Sequence, residues 1–218
     1  KDENGFTSDL GLRGRFKNAL SYDVSIYALK YNDRIGEVLK QEQRENAQGE
    51  LVETNRTIRF RGNIGDAFIY GLETFADWNL KNTFFDHAEN YRLNIFVNTA
   101  FTNSEYTRSE ENNVEGNMVE FIPEVNLKTG LNFGYRNLMA GIQYTYLSTQ
   151  YTDATNAPQD VNDNQRGIEG SIPAYGIVDL SASYTLGRFK LEAGLNNLLN
   201  NYYFTRRATG YPGPGIIP

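Results

Sequence analysis

Hydrophobic and polar residues alternate along most of this chain with a period of two. In "YRLNIFVNTAF", Tyr91, Leu93, Ile95, Val97 and Phe101 share one parity, while Arg92, Asn94, Asn98 and Thr102 hold the other. In "VNLKTGLNF", Val125, Leu127, Leu131 and Phe133 alternate with Asn126, Lys128, Gly130 and Asn132. The same reading holds from Leu138 through Ala140, Ile142, Tyr144 and Tyr146, from Val178 to Leu186, and from Phe189 to Leu195. Successive side chains of an extended strand point to opposite faces, so sustained alternation predicts strands and does not fit helical spacing. Weaker alternation marks Leu10 to Phe16, Leu20 to Ala28 and Tyr70 to Leu80. The pattern therefore predicts eight strands. Many run to roughly ten residues, longer than the ~5–6 usual in soluble sheets and matching the ~9–11 of a tilted membrane-spanning strand.

The predicted connections alternate in length. Those after Phe16 ("KNA"), Phe133 ("YRN") and Leu186 ("GR") are short, and "KNTFFDHAEN" between Leu80 and Tyr91 is moderate. Asn32 to about Gly65, Thr107 to about Glu120, and Thr152 to Ser171 are polar, charged and rich in Asn and Gln, and are predicted as long loops. Short turns at one end and long loops at the other is the asymmetry of an outer-membrane β-barrel. Alternation alone leaves a soluble sandwich open, because both folds have one apolar face. The aromatics bear on this choice. Phe16, Trp78, Tyr91, Phe133, Tyr184 and Phe189 fall near the short-turn ends on the apolar parity. That placement matches an interfacial aromatic girdle, although aromatic β propensity would also put rings in strands.

Composition supports β structure: Tyr 15, Phe 13 and Gly 20 stand against Met 2 and His 1 in 218 residues. A net charge of −6 with no basic block does not mark a nucleic-acid binder. Cysteine is absent, which excludes a disulfide framework, thiolate metal sites and a cysteine nucleophile. No 18-residue apolar run is present, so no membrane-spanning helix is expected. The opening "KDENGFTSD" has neither the basic nor the apolar region of a signal peptide.

Four motifs in order carry a resemblance. They are "RGNIGDAFIYGLE" (61–73), "FIPEVNLKTGLNF" (121–133) with Pro123 and Glu124, "IPAYGIVDLSASYTL" (172–186), and "GRFKLEAGLNNLLNNYYF" (187–204) with Asn196, Asn197, Leu198, Leu199, Asn200 and Tyr203. Together they resemble the C-terminal barrel of TonB-dependent outer-membrane receptors, and the tail "RRATGYPGPGIIP" resembles the subfamily related to ferric dicitrate receptors. The resemblance implies an all-β fold: an antiparallel transmembrane barrel of roughly 22 strands with a plugged lumen. Residues 1–218 would be its C-terminal part, about a third of the strands. The plug, the segment that meets TonB, and the final strand would then be absent from this chain. "TRRATGYPGPGIIP" would be an extracellular hairpin loop whose returning strand continues past Pro218.

The function the resemblance implies is uptake of a ferric siderophore, ferric citrate-like, across the outer membrane of a Gram-negative bacterium. Expected partners are the TonB complex, the ferric chelate, and outer-membrane lipid and lipopolysaccharide, with no nucleic acid and no cofactor. The alternatives are a non-transport barrel subunit or interaction protein of a surface assembly, a soluble β adhesin, and the same fold importing a glycan or cobalamin. An enzyme is not expected. The sole histidine, His87, has no partner for a triad or a metal site. Asp160, Asn162, Asp163 and Asn164 offer oxygens for weak calcium binding but match no loop pattern. The acidic loop residues, among them Glu42, Glu50, Glu110 and Glu111, read as solvated surface. The candidate ligand-binding residues are Arg206, Arg207 and Tyr211 in the last loop, and Arg56, Arg59 and Arg61 where the first long loop returns. Guanidinium groups hold carboxylate or phosphate oxygens bidentately, as an anionic chelate requires. The competing role for these arginines is pairing with loop glutamates.

Overall fold

The computed structural model describes residues 2–85, 89–158, 170–205 and 216–217. Its strands are β1 (Asn4–Phe16), β2 (Leu20–Glu45), β3 (Leu51–Asn79), β4 (Tyr91–Ser109), β5 (Val125–Tyr135), β6 (Leu138–Leu147), β7 (Tyr175–Leu186) and β8 (Phe189–Leu195). They form one eight-stranded sheet in which each strand pairs antiparallel with its neighbour in sequence. A short helix, α1 (Leu80–Phe84), joins β3 to β4. It is capped by Asn79, whose side-chain oxygen accepts from the Asn82 amide at 2.9 Å.

The register carries the sequence pattern across the sheet. Leu10 faces Ile26, Ile26 faces Leu72, and Leu72 faces Phe101. Farther on, Leu131, Ile142, Leu180 and Leu195 share a row. One face is thus apolar from edge to edge, and Leu10, Ile26, Phe101, Ile142 and Leu195 are all exposed on it. The other face carries Asp9, Ser25, Glu73, Asn94, Lys128, Asn132, Gln143 and Asp179. All eight predicted strands are present.

The short turns lie together at one end. Lys17 and Asn18 both have positive φ, at 48° and 52°, in the three-residue turn that joins Phe16 to Leu20. Arg136 (φ 51°) and Gly187 (φ 59°) open the other two hairpin turns. Phe16, Trp78, Tyr91, Phe133, Tyr184 and Phe189 stand at this end on the apolar face, and Tyr91 packs 4.7 Å from the Tyr135 ring.

The opposite end corrects the expectation of a long loop from Asn32 to Gly65. That stretch continues β2 and β3, which run 26 and 29 residues. At ~3.3 Å per residue each exceeds 80 Å, more than twice what a membrane crossing of ~9–11 residues uses. The two strands separate at a bulge near Asp33 (φ 51°), re-register from Ile35 opposite Asn63, and meet at a turn over 46–50. The Asn46 side chain accepts from the Gln48 and Glu50 amides at 2.9 Å each and closes that turn. The second loop is displaced rather than shortened: β4 runs on to Ser109, and β5 begins only at Val125.

Near the chain's end, Tyr203–Phe204 (β9) pairs antiparallel with Ile216–Ile217 (β10) as a separate two-stranded sheet.

Candidate functional site at the rim

Above the bulge, segments 110–123 and 148–156 fold onto the β2–β3 extension. Between them lies the buried core of the described residues: Val38, Ile64, Ala67, Ile69, Tyr106, Val114, Val119 and Ala154. The segments also lock to each other. Asn156 accepts from the Met118 amide and donates to the Met118 carbonyl, both at 2.8 Å. Phe121 N donates to the Tyr151 carbonyl at 2.8 Å, and Ala154 N to the Glu37 carbonyl at 2.7 Å.

A charged network sits inside this core. Arg34 Nη1 donates to Tyr106 Oη and to Glu120 Oε1, each at 2.8 Å. Tyr106 Oη donates to Glu120 Oε2 at 2.7 Å, and the Glu37 amide donates to Glu120 Oε1 at 3.2 Å. The Glu120 side chain is 5% exposed and that of Arg34 18%. Burial draws the Arg34 guanidinium down, but Glu120 and then Tyr106 outweigh it and leave it above its ordinary value. Burial, followed by the Glu120 charge, pushes the Tyr106 phenol well above its ordinary range, so it stays a donor. Gly36 leaves the space for this network: a Cβ there would lie 2.5 Å from Glu120 Oε1 and 2.6 Å from Tyr106 Oη.

Below the network, the polar face holds a cavity of about 570 Å³ lined by Asp9, Tyr27, Tyr31, Arg34, Glu73 and Thr102 among others. The Tyr27 and Thr102 hydroxyls share a 2.6 Å hydrogen bond across it. Carboxylates, phenols and one guanidinium can hold a polar ligand or a second polypeptide surface.

The arginines predicted from sequence separate. Arg59 Nη1 donates to Glu37 Oε2 at 2.8 Å and to the Thr152 carbonyl at 3.1 Å, with its side chain 14% exposed. Arg56 lies 3.9 Å from Glu42 and is exposed. Arg61 faces Glu37 across the ladder. Arg206, Arg207, Tyr211 and His87 lie outside the described residues, as do Asp160, Asn162, Asp163 and Asn164. Several loop glutamates are engaged rather than merely solvated: Glu42 pairs with Arg44 at 3.1 Å, and Glu111 with Lys40 at 2.7 Å. Sequence reading missed Arg34, Tyr106 and Glu120. Their partners lie 72 and 86 residues apart, beyond any local pattern.

Residues 1–198 match the family described as TonB dependent receptor-like, beta-barrel. The chain belongs to that family. Its fold is shared by the unliganded ferric citrate transporter FecA, with a TM-score of 0.71 and 21% identity over 96% of this chain and 29% of that one. The ferric yersiniabactin uptake receptor FyuA from Yersinia pestis aligns with a TM-score of 0.65 and 19% identity over 99% of this chain and 28% of that one. The copper transporter OprC aligns with a TM-score of 0.62 and 20% identity, over 99% and 30%. The chain thus spans about three-tenths of the length of these transporters. No curated protein matches it. As part of a TonB-dependent receptor barrel, the sheet turns its apolar face outward and its polar face to the lumen. The family is one of receptors rather than enzymes.

Proposed function

We propose that this chain is the C-terminal wall and rim of an outer-membrane receptor that imports a ferric chelate of the ferric citrate type, energised through the TonB complex. The observation that carries the reading is the two-part build: an apolar outer wall with short turns at one end, and loops folded over a polar lumen at the other. The fold likeness to FecA supports a ferric ligand as substrate. In this reading Arg206, Arg207 and Tyr211 meet the ligand from the last loop, with Arg56 and Arg61 on the β2–β3 extension. Arg59, bonded to Glu37 and the Thr152 carbonyl, holds the third loop in place for them. Phe16, Trp78, Tyr91, Phe133, Tyr184 and Phe189 anchor the short-turn end at the headgroup level. The plug and the final wall strand are supplied by sequence outside residues 1–218, and the ligand's carboxylates set the demand for guanidinium groups.

The test is uptake of radiolabelled iron by cells that carry the full-length receptor and lack other ferric transporters. Ferric citrate should be imported, and an Arg206→Ala/Arg207→Ala variant should lose most of that import. Equal import of a neutral ferric chelate by the parent and the variant removes the arginine argument. Import of a glycan or cobalamin instead of iron would replace the substrate and keep the transporter.

A further inference from the structure

The outer face of β5–β8 is not smooth. Three alanines, Ala140, Ala182 and Ala193, stand side by side in one cross-strand row. The row above holds Leu131, Ile142, Leu180 and Leu195, and the row below holds Leu138, Tyr184 and Leu191. The small residues leave an apolar trench of about 520 Å³, lined by the three alanines, by Phe133 beside them, and by the upper row of Leu131, Ile142, Leu180 and Leu195.

The turns beside the trench carry cations. The Arg136 guanidinium lies 5.2 Å from the centroid of the Tyr135 ring, and that of Arg188 lies 5.5 Å from the Phe189 ring. The third short turn repeats the arrangement, with Lys17 Nζ 5.3 Å from Phe16. None of these three turns contains an acidic residue, whereas the longer connection holds Glu89. Arg136 and Arg188 are exposed, and their hairpins are tied by the Thr185 amide donating to the Asn137 carbonyl at 3.0 Å. Each ring braces its cation at the end of the wall, where the apolar band stops.

The spacing suits one kind of occupant. Ala140 is four residues from Arg136 and Ala182 six from Arg188, or ~13–20 Å along the strands. With barrel strands tilted ~35–45°, the trench falls ~10–15 Å deeper than the arginines, within the acyl half of a leaflet. We propose that this face binds a glycerophospholipid of the leaflet on the short-turn side. Arg136 and Arg188 take its phosphate, the Tyr184 and Phe189 rings flank its glycerol region, and the Ala140–Ala182–Ala193 trench takes an acyl chain. The proposal rests on the reading that this chain spans a lipid bilayer. Charge complementarity selects the occupant, because a second apolar protein surface would leave the two guanidinium groups without a partner.

The full-length receptor, extracted in mild detergent and incubated with dioleoyl phosphatidylglycerol, tests this by native mass spectrometry. The parent should retain lipid through detergent exchange. Arg136→Ala/Arg188→Ala should lower its apparent affinity on the order of twentyfold, from the attraction of two cations to an anionic lipid. Ala182→Leu, which fills the trench without altering charge, should reduce retention independently. Retention equal in parent and arginine variant is annular lipid only and overturns the site, as does a parent that retains none. Heat-modifiable gel mobility and outer-membrane fractionation of each protein are read in parallel. A correctly inserted parent without lipid sinks this inference alone, while a parent that never reaches the membrane sinks the membrane reading first.

Discussion

The rim and the wall of this molecule are stabilised in opposite ways. At the rim, Val38, Ala67, Tyr106, Val114, Val119 and Ala154 are nearly or fully buried, and charged groups pair inside the protein. Across the wall, Ile26, Phe101 and Ile142 stand exposed on the apolar face although strands flank them on both sides. The rim thus carries a core of the soluble kind, whereas the wall leaves its apolar burial to lipid. A substitution that one half absorbs should be costly in the other, and that contrast can be tested directly.

The largest effect is expected from Glu120→Ala. It leaves Arg34 buried without its anionic partner, and breaking a buried pair in this way costs about 3–5 kcal/mol. The cost should appear locally. Hydrogen exchange at the Glu37 and Val119 amides should rise steeply while exchange in β6 and β7 stays unchanged. Unchanged rim exchange would show that the core holds without the ion pair.

Next comes a matched pair of charge insertions. Leu180→Arg puts a cation in the apolar band and should cost about 2–4 kcal/mol in refolding into liposomes. Leu51→Arg, at an exposed rim leucine beside the hairpin turn, should stay within about 0.5 kcal/mol. Equal costs at the two sites would abolish the distinction between the halves.

Sequence reading separates along the same boundary. In the wall, one face meets lipid and the other a wet lumen, so Leu, Ile and Val alternate with Asn, Lys and Ser and all eight strands are legible. Above the bulge both faces of β2 and β3 lose lipid contact. In "DRIGEVLKQEQRE" charge falls on both parities, and a hairpin extension of about 45 Å per strand reads as loop. The rim network is illegible for a second reason, since it joins residues from β2, β4 and the following loop. Gly36 is the one local trace of it, a residue whose lack of a side chain makes sense only beside Glu120 and Tyr106. Gly36→Ala should therefore cost about 1–3 kcal/mol through overpacking, read as rim unfolding in urea ahead of the wall. A neutral result would mean the network can shift aside at no cost.

Smaller still is Lys40→Ala. The Lys40–Glu111 pair at 2.7 Å is partly exposed, and Lys40 Nζ also lies 4.4 Å from the Phe60 ring centroid. Loss of both should cost about 0.5–1 kcal/mol, weakening further at high salt. A cost matching that of Glu120→Ala would erase the difference between buried and half-exposed pairs.

The smallest effect separates two kinds of pairing within the rim itself. Asp66 accepts from Arg108 Nε at 2.8 Å and from the Asp33 amide at 3.0 Å, at the bulge where β2 and β3 part. Hydrogen bonding from Arg108, then from the Asp33 amide, holds its carboxyl below the usual value. A depressed folded pKa means that the stabilisation is complete above the ordinary carboxylate range. It is lost as pH falls through the folded value. Exchange protection of the Asp33 amide, corrected for intrinsic rates, should therefore be flat from pH 7 to the ordinary carboxylate pKa near ~3.9 and decline below it. Asp66→Asn should abolish the pH-dependent part. Because Arg108 is exposed, the decline should be shallow and confined to the bulge. A decline that begins near neutral pH would mean that another group controls the hinge between wall and rim.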